Sequence, residues 1–262
     1  MPDSVVAVTT WLRADTETVC CCVDDVPGDA VYDLDPFGVV RCPRCSLVFV
    51  SPRLRPDALQ RLYDAPAYHE GVYGSPFARF LQARWTAGRL ALTGRRGGRL
   101  LEIGAGHGGF LAAARARGFS VAGVELSAPA ASHARDVLGL DVFTGALSDA
   151  PFAGPFDVVC AWDTIEHVPD PVAFWRSVRA LLAPGGVALF STPYFSSWPS
   201  RVLRERWWTL KPAEHIWHFT PATHASTAAA ADMQVTRVIR SPLALANLGR
   251  LDSLVGIARV AR

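Results

Sequence analysis

Three groups of residues in this chain have types and spacings that could do chemistry. The first is a set of cysteines. Five of the six fall within the first 45 residues: Cys20, Cys21, Cys22, Cys42 and Cys45. Cys42-Pro43-Arg44-Cys45 is a Cys-x2-Cys pair, and nineteen residues separate Cys22 from Cys42, a spacing suited to a ribbon-like zinc site. The second is a glycine loop, Leu101-Glu102-Ile103-Gly104-Ala105-Gly106-His107-Gly108-Gly109, with Glu125 21 residues beyond Gly104. Glycine is needed where backbone turns sharply or approaches a ligand closely. A carboxylate at the end of the next strand would accept hydrogen bonds from ribose hydroxyls. The third comprises Glu166-His167 and Glu214-His215-Ile216-Trp217-His218, which offer imidazoles beside carboxylates for proton transfer.

The glycine loop alone is ambiguous, because Gly104, Gly106 and Gly109 also fit a dinucleotide fingerprint. Glu102 tilts the reading. A pyrophosphate is anionic and disfavours an acid beside the loop, whereas a ligand carrying an ammonium and a sulfonium favours one.

Downstream, Asp157-Val158-Val159-Cys160-Ala161-Trp162-Asp163-Thr164-Ile165-Glu166-His167-Val168-Pro169-Asp170-Pro171 is followed by Leu181-Leu182-Ala183-Pro184-Gly185-Gly186. With the glycine loop, this order of motifs over residues 99 to about 193 resembles class I S-adenosylmethionine-dependent methyltransferases of the methyltransferase domain 23 type. The resemblance implies a cofactor over the first strand ends. Glu102, Gly104 and Gly106 would lie at its amino-acid moiety, Glu125 on the ribose, Leu126 and Leu147 near the adenine, and Trp162 and Asp163 closing the site. Many relatives have an acid after the third strand that contacts the adenine; here Ala146 stands there, leaving backbone groups or Asp149. Residues 41–52 also resemble the second half of an N-terminal zinc knuckle found in some relatives. Cys42 and Cys45 with Cys20 and Cys22 would hold a structural Zn2+, with Cys21 as the alternate and Asp24 or Asp25 as substitutes for a thiolate.

Methyl transfer requires a positioned nucleophile and often a base. The base candidates are His167, His215, His218 and His224. The Glu214-His215 block resembles that of knuckle-bearing sugar C-methyltransferases, in which an upstream tyrosine joins the pair; Tyr68 is the expected counterpart, with Tyr63 and Tyr73 as alternates. His215 is expected as general base, Glu214 as its partner and Tyr68 as a positioning hydroxyl. Glu214 and His215 would share a site only in a turn or at a helix start, since neighbours in a strand face opposite ways; Pro212 favours such backbone.

These residues need a scaffold, and the pattern supplies one. Leu100–Ile103, Val121–Val124, Val142-Phe143, Asp157–Trp162 and Val187–Ser191 read as strands alternating with helices, which implies a doubly wound parallel sheet. Val235–Ile239 and Leu254–Val260 would close it as an antiparallel pair. The expected fold is α/β: a Rossmann-like seven-stranded sheet with a small N-terminal zinc-knuckle or β-hairpin segment. The expected division is a cysteine segment over 1–55, a helical cap or linker over 56–95, and a methyltransferase domain over 96–262. With 262 residues, half of them hydrophobic, the chain is long enough to bury one α/β core. A net charge of +2 argues against a nucleic-acid partner. The absence of a long apolar run argues against a membrane span, and that of a leader pattern suggests a cytoplasmic protein. The expected activity is O- or C-methylation of a small molecule, in natural-product or sugar biosynthesis. A dinucleotide-dependent oxidoreductase and a silent zinc-knuckled binding module are the alternatives.

Overall fold

A computed structural model of the chain describes residues 15–64, 85–240 and 251–261. Its centre is a seven-stranded sheet built from β6 (Gly98–Ile103), β7 (Phe119–Glu125), β8 (Val142–Thr144), β9 (Phe156–Trp162), β10 (Leu182–Pro193), β12 (Met233–Arg240) and β13 (Ser253–Val260). The spatial order is β12-β13-β10-β9-β6-β7-β8. β13 runs antiparallel to both β10 and β12, and the β10-β9-β6-β7-β8 ladder is parallel. This is the sheet read from the sequence, including its antiparallel closing pair. Leu100 and Leu101 are both fully buried although they face opposite sides, as expected of a central strand covered by helices on both faces.

The connecting helices are α2 (Gly109–Arg115), α3 (Ala128–Asp136) and α4 (Pro171–Leu181). Ser127 caps α3 by accepting from the Ala130 amide, and Asp170 caps α4 by accepting from Val172 and Ala173. α4 buries Phe174, Trp175 and Val178 against the sheet. Pro184-Gly185-Gly186 is an irregularity within β10 and not a separate loop. β10 already begins at Leu182, opposite Phe156, and the register to β9 shifts before Val187.

The N-terminal part adds β1 (Thr16–Glu17), β2 (Asp29–Leu34), β3 (Phe37–Arg41), β4 (Val48–Val50), β5 (Arg53–Leu54) and α1 (Pro56–Asp64). β2, β3 and β4 form an antiparallel meander whose fourth strand is β11 (Trp217–His218), contributed from beyond β10. Phe49 packs on Trp217 with ring centroids 5.6 Å apart. Val50 N–H donates to Ile216 O, and Arg53 Nη1 donates to Pro169 O. Cys21, Cys42, Leu47 and Phe49 therefore share one core with Ile165, Trp217 and Phe219. Burial of these aromatic faces stabilises the junction by about 2 kcal/mol per side chain.

α5 (Trp198–Leu203) and α6 (Pro221–Ala229) flank β11. Thr220 and Thr223 cap α6 reciprocally. The helical cap or linker expected over 56–95 is described in part: beyond α1, residues 85–92 are helical and bring Trp85 and Arg89 to the cavity described below.

Candidate functional site

The carboxyl ends of β6, β7, β9 and β10 open into one cavity of 1240 Å³ lined by Glu102, Gly104, Glu125, Leu147, Asp163 and His215 among others. Strand ends of a doubly wound sheet are where such folds bind ligands.

On one wall lies the glycine loop. Gly104 has a φ of +75°, and a Cβ there would meet Thr164 Oγ1 at 2.5 Å. That hydroxyl is itself fixed, donating toward Ile103 O and Trp162 O. Gly104 and Ala105 amides both donate to Val124 O, which bends the loop away from the strand. Glu125 ends β7 with both oxygens directed at backbone: Oε2 accepts from Gly106 N at 2.7 Å and Oε1 from Ser127 N at 2.8 Å. Gly109, by contrast, has ordinary φ and open space where a Cβ would be. The third glycine of a dinucleotide fingerprint is required for close helix–strand packing; Gly109 has no such function.

Glu102 is 3% exposed and its Oε2 has no hydrogen-bond partner among the described residues. Burial pushes its carboxyl well above the usual carboxylate range; Arg89 works against this shift and Glu125 adds to it. Arg89 was not singled out in the sequence. Its guanidinium lies 4.5 Å from the Trp162 ring centroid and 3.8 Å from Asp163 Oδ2. The only signal in the sequence was an arginine on a helix preceding the glycine loop. Asp163 adopts a left-handed φ of 51° and accepts from Ser191 Oγ. Leu126, Gly145, Ala146, Leu147 and Ser148 line the neighbouring wall, whereas Asp149 is not among the lining residues.

The opposite wall holds Glu166, His167 and His215, whose ligand-capable atoms lie within 4.8 Å of one another. Two backbone segments are clamped together to achieve this: Ile216 N and Trp217 N both donate to Glu166 O, and Trp217 Nε1 donates to Val168 O. Glu166 is 1% exposed. His167 Nδ1 faces Glu214 O at 3.0 Å, and His215 Nδ1 faces Thr209 O at 2.6 Å. Carbonyls only accept, so both Nδ1 atoms carry the proton and both Nε2 atoms keep a lone pair in the neutral rings. Burial lowers the His167 pKa to about 4 and pushes His215 well below its ordinary value. Both imidazoles are neutral near pH 7.

As anticipated from Pro212, Glu214 and His215 sit in a turn, their amides both donating to Lys211 O. The expected side-chain partnership does not form. The Glu214 carboxylate pairs with Lys211 Nζ at 3.3 Å, and it is the Glu214 carbonyl that bonds a histidine, His167 Nδ1. His218 packs between Phe195 and Trp207, and His224 stacks on Phe219 with Nε2 on Thr192 Oγ1. Neither lines the cavity. Tyr68 and Tyr73 lie outside the described residues.

The cysteines assemble differently from the expectation. Cys21, Asp24, Cys42 and Cys45 converge, while Cys20 and Cys22 are not part of the cluster. Cys20 is exposed. The reason is a repeated turn. Cys42 N donates to Leu47 O, Ser46 N donates to Cys42 O, and Ser46 has φ 64°. Likewise Cys21 N donates to Val26 O, Asp25 N donates to Cys21 O, and Asp25 has φ 52°. Cys21-x2-Asp24 is thus the same knuckle as Cys42-x2-Cys45, with aspartate at the second ligand position. The signal was present in the sequence as an x2 spacing and was masked by the cysteine triplet. Cys21 Sγ is 3.4 Å from Cys45 Sγ, and Asp24 Oδ2 is 3.2 Å from Cys42 Sγ. Two thiolates on one tetrahedral zinc are about 3.8 Å apart, so the donor set fits that ion.

The family profile described as a methyltransferase domain matches residues 77–238. The chain belongs to the S-adenosylmethionine-dependent methyltransferases. Among curated proteins it is similar to the ubiquinone biosynthesis O-methyltransferase of Caulobacter sp. strain K31, with 44% identity over 103 residues, 36% of this chain and 40% of that protein. The Thiobacillus denitrificans protein of the same name is 38% identical over 120 residues, 43% of this chain and 50% of that one. The chain thus spans half or less of the length of these two relatives. Among solved structures, the Burkholderia thailandensis 1,6-didemethyltoxoflavin-N1-methyltransferase with bound S-adenosylhomocysteine matches with a TM-score of 0.61 at 22% identity, covering 89% of this chain and 100% of that one. The DhpI–SAH complex matches with a TM-score of 0.57 at 20% identity, covering 78% of this chain and 96% of that one. The family match makes residues 77–238 a methyltransferase domain, of the class that takes S-adenosylmethionine, and the oxidoreductase reading of the glycine loop falls. Three features fit that cofactor: the orphaned, buried Glu102 Oε2 in the cavity wall, the left-handed turn of the cavity-lining glycine loop at Gly104, and the carboxylate at the end of β7.

Proposed function

We propose that this methyltransferase methylates a hydroxyl oxygen of a small molecule, and that the acceptor proton is removed at the Glu166–His167–His215 wall. One observation carries the reading: a neutral, Nε2-accepting imidazole pair faces the same cavity as the glycine loop. When bound, S-adenosylmethionine supplies a methyl group on an electrophilic sulfonium. Glu102, Gly104, Gly106 and Glu125 would hold it, with Leu126 and Leu147 beside the adenine and Trp162 and Asp163 at the closing edge. Arg89 beside Asp163 places a cation and a carboxylate on this wall, suited to a zwitterionic amino-acid moiety, and the buried acid Glu102 would ionise against its ammonium. The Thr209 carbonyl orients the His215 ring, and the backbone of Glu214 orients that of His167. Tyr68 is the proposed positioning hydroxyl. The two named curated relatives, both O-methyltransferases, support oxygen over carbon as the acceptor atom. A structural Zn2+ on Cys21, Asp24, Cys42 and Cys45 is part of the same proposal.

Turnover with a panel of phenolic and aliphatic hydroxyl acceptors tests the assignment. His215→Ala should lower turnover by about 10² to 10⁴, the contribution of a positioned base, with S-adenosylhomocysteine affinity unchanged. Full turnover in that variant would remove the chemistry from this wall.

A further inference from the structure

We propose that Asp252 is a positioning residue of the acceptor site: through Thr209 it holds the His215 imidazole in the Nδ1-protonated form, so that Nε2 receives the acceptor's proton. The inference rests on the base reading above and adds the group that sets the base. Three features of the geometry carry it.

The first is placement. β13 runs antiparallel to β10, so its first residue, Ser253, stands opposite Pro193 at the carboxyl edge of the sheet. Asp252 precedes it there, buried, and both residues line the cavity together with Thr209, His167 and His215. The second is what Asp252 holds. Its Oδ2 accepts from Trp207 Nε1 at 2.8 Å and from Thr209 Oγ1 at 2.5 Å, and its carbonyl accepts from Tyr194 N at 2.6 Å. All three donors lie in the segment between β10 and His215. A buried carboxylate is costly unless its oxygens are paired, and this one is paired with the segment that carries the base. The third is the division of labour within Thr209. Its hydroxyl donates to Asp252, while its carbonyl accepts from His215 Nδ1 at 2.6 Å. The side chain of Thr209 is buried, so its carbonyl turns away from His215 only at the cost of a hydroxyl left without a partner.

A neutral imidazole has one donor nitrogen and one acceptor nitrogen, and the bond made by one decides the state of the other. A base that takes a proton at Nε2 must keep its lone pair there, so the tautomer is a condition of the chemistry. In hydrolytic triads a carboxylate sets the histidine tautomer directly; here a threonine stands between the two. The neighbouring ring supplies an internal reference. His167 Nδ1 lies on the Glu214 carbonyl rather than on Thr209, so release of the Asp252 clamp acts on His215 and spares His167.

The test is heteronuclear NMR of the full-length protein with isotope-labelled histidine, saturated with S-adenosylhomocysteine. Ring-nitrogen shifts separate a protonated Nδ1 from a protonated Nε2, and His215→Ala and His167→Ala assign the two signals. The wild-type His215 ring should be protonated at Nδ1 alone. Asp252→Ala and Thr209→Val should each give a mixture of tautomers at His215, with His167 unchanged. Asp252→Asn should restore the single form, because both side-chain bonds fall on one oxygen and an amide oxygen accepts two. Thr209→Ser should do the same by keeping the hydroxyl. Turnover with the hydroxyl acceptors named above should fall about tenfold to 100-fold in Asp252→Ala and Thr209→Val and recover in the two conservative variants, with S-adenosylhomocysteine affinity kept within about twofold throughout. Should one of the disruptive variants fail to fold, the other reads the same bond from its opposite end. A wild-type His215 protonated at Nε2, or a tautomer unchanged in both Asp252→Ala and Thr209→Val, overturns the proposal. If the tautomer follows the clamp while His215→Ala keeps full turnover, the base assignment fails and the clamp on the ring stands.

Discussion

Replacing Gly104 by alanine, with Gly109→Ala as its matched control, tests whether the glycine loop is shaped for close approach or is merely glycine-rich. At Gly104 the backbone sits at φ +75°, which costs an alanine about 1 to 2 kcal/mol. The new Cβ would also stand 2.5 Å from Thr164 Oγ1. That hydroxyl cannot withdraw freely, because it donates toward Ile103 O and Trp162 O. Displacing it forfeits hydrogen bonding of about 1 kcal/mol. The sum is about 2 to 3 kcal/mol, or a fall in Tm of about 4 to 12 °C for a chain of this size. The shift falls on the loop that faces the cavity, so S-adenosylhomocysteine affinity should drop at least about tenfold. Gly109→Ala meets nothing within 4 Å and sits at the start of α2, where alanine is favoured over glycine by up to about 1 kcal/mol. Differential scanning calorimetry and isothermal titration on the two variants read both quantities. Equal affinities for Gly104→Ala and the wild type would refute the account of the loop.

Two further outcomes are expected. Acid should unfold the protein early. The pKa of His167 is lowered to about 4, that of His218 and His224 to about 3, and that of His215 well below normal, all through burial. The unfolded chain binds protons that the native one refuses, so stability is complete above about pH 6.5 and falls toward pH 4, by up to about 1.4 kcal/mol per pH unit per histidine; urea melts at stepped pH measure it, and a flat profile between pH 6.5 and 4 would contradict the burial. Asp24→Cys should convert the Cys21-x2-Asp24 turn into a second Cys-x2-Cys knuckle and tighten zinc, read by competition with a chromophoric chelator, whereas Cys20→Ser and Cys22→Ser should leave zinc stoichiometry unchanged.

Much of the central sheet was legible because its strands are short apolar runs between glycine-rich turns, and the closing pair was legible for the same reason. The glycine loop and Glu125 were legible because their function requires fixed spacing along one β-α-β unit. What the sequence concealed were relations between distant segments. Nothing local says that Glu214 turns its carboxylate to Lys211, or that Thr209 orients His215, since both depend on the path of the turn after Pro212. Arg89 was hidden because an arginine on an amphipathic helix has no pattern of its own. The first knuckle was misread because three consecutive cysteines drew attention from the aspartate at the ligand position. The pairing of β11 with β4 was unforeseen because a two-residue strand is too short to show alternation.

That last pairing has a consequence for how the chain is made. Trp217 and His218 complete a sheet begun by Phe49 and Val48, which leave the ribosome most of a chain length earlier. Until they arrive, the edge of β4 and the flat face of Phe49 stay open, an invitation to association with other nascent chains. Such late-closing contacts are slow to form, because a long loop must be ordered first. An early-loaded ion on the cysteine turns would hold the waiting meander in register through that interval. The thiols would then matter most during biogenesis: metal starvation should reduce the yield of active enzyme from fresh synthesis far more than it harms enzyme already folded.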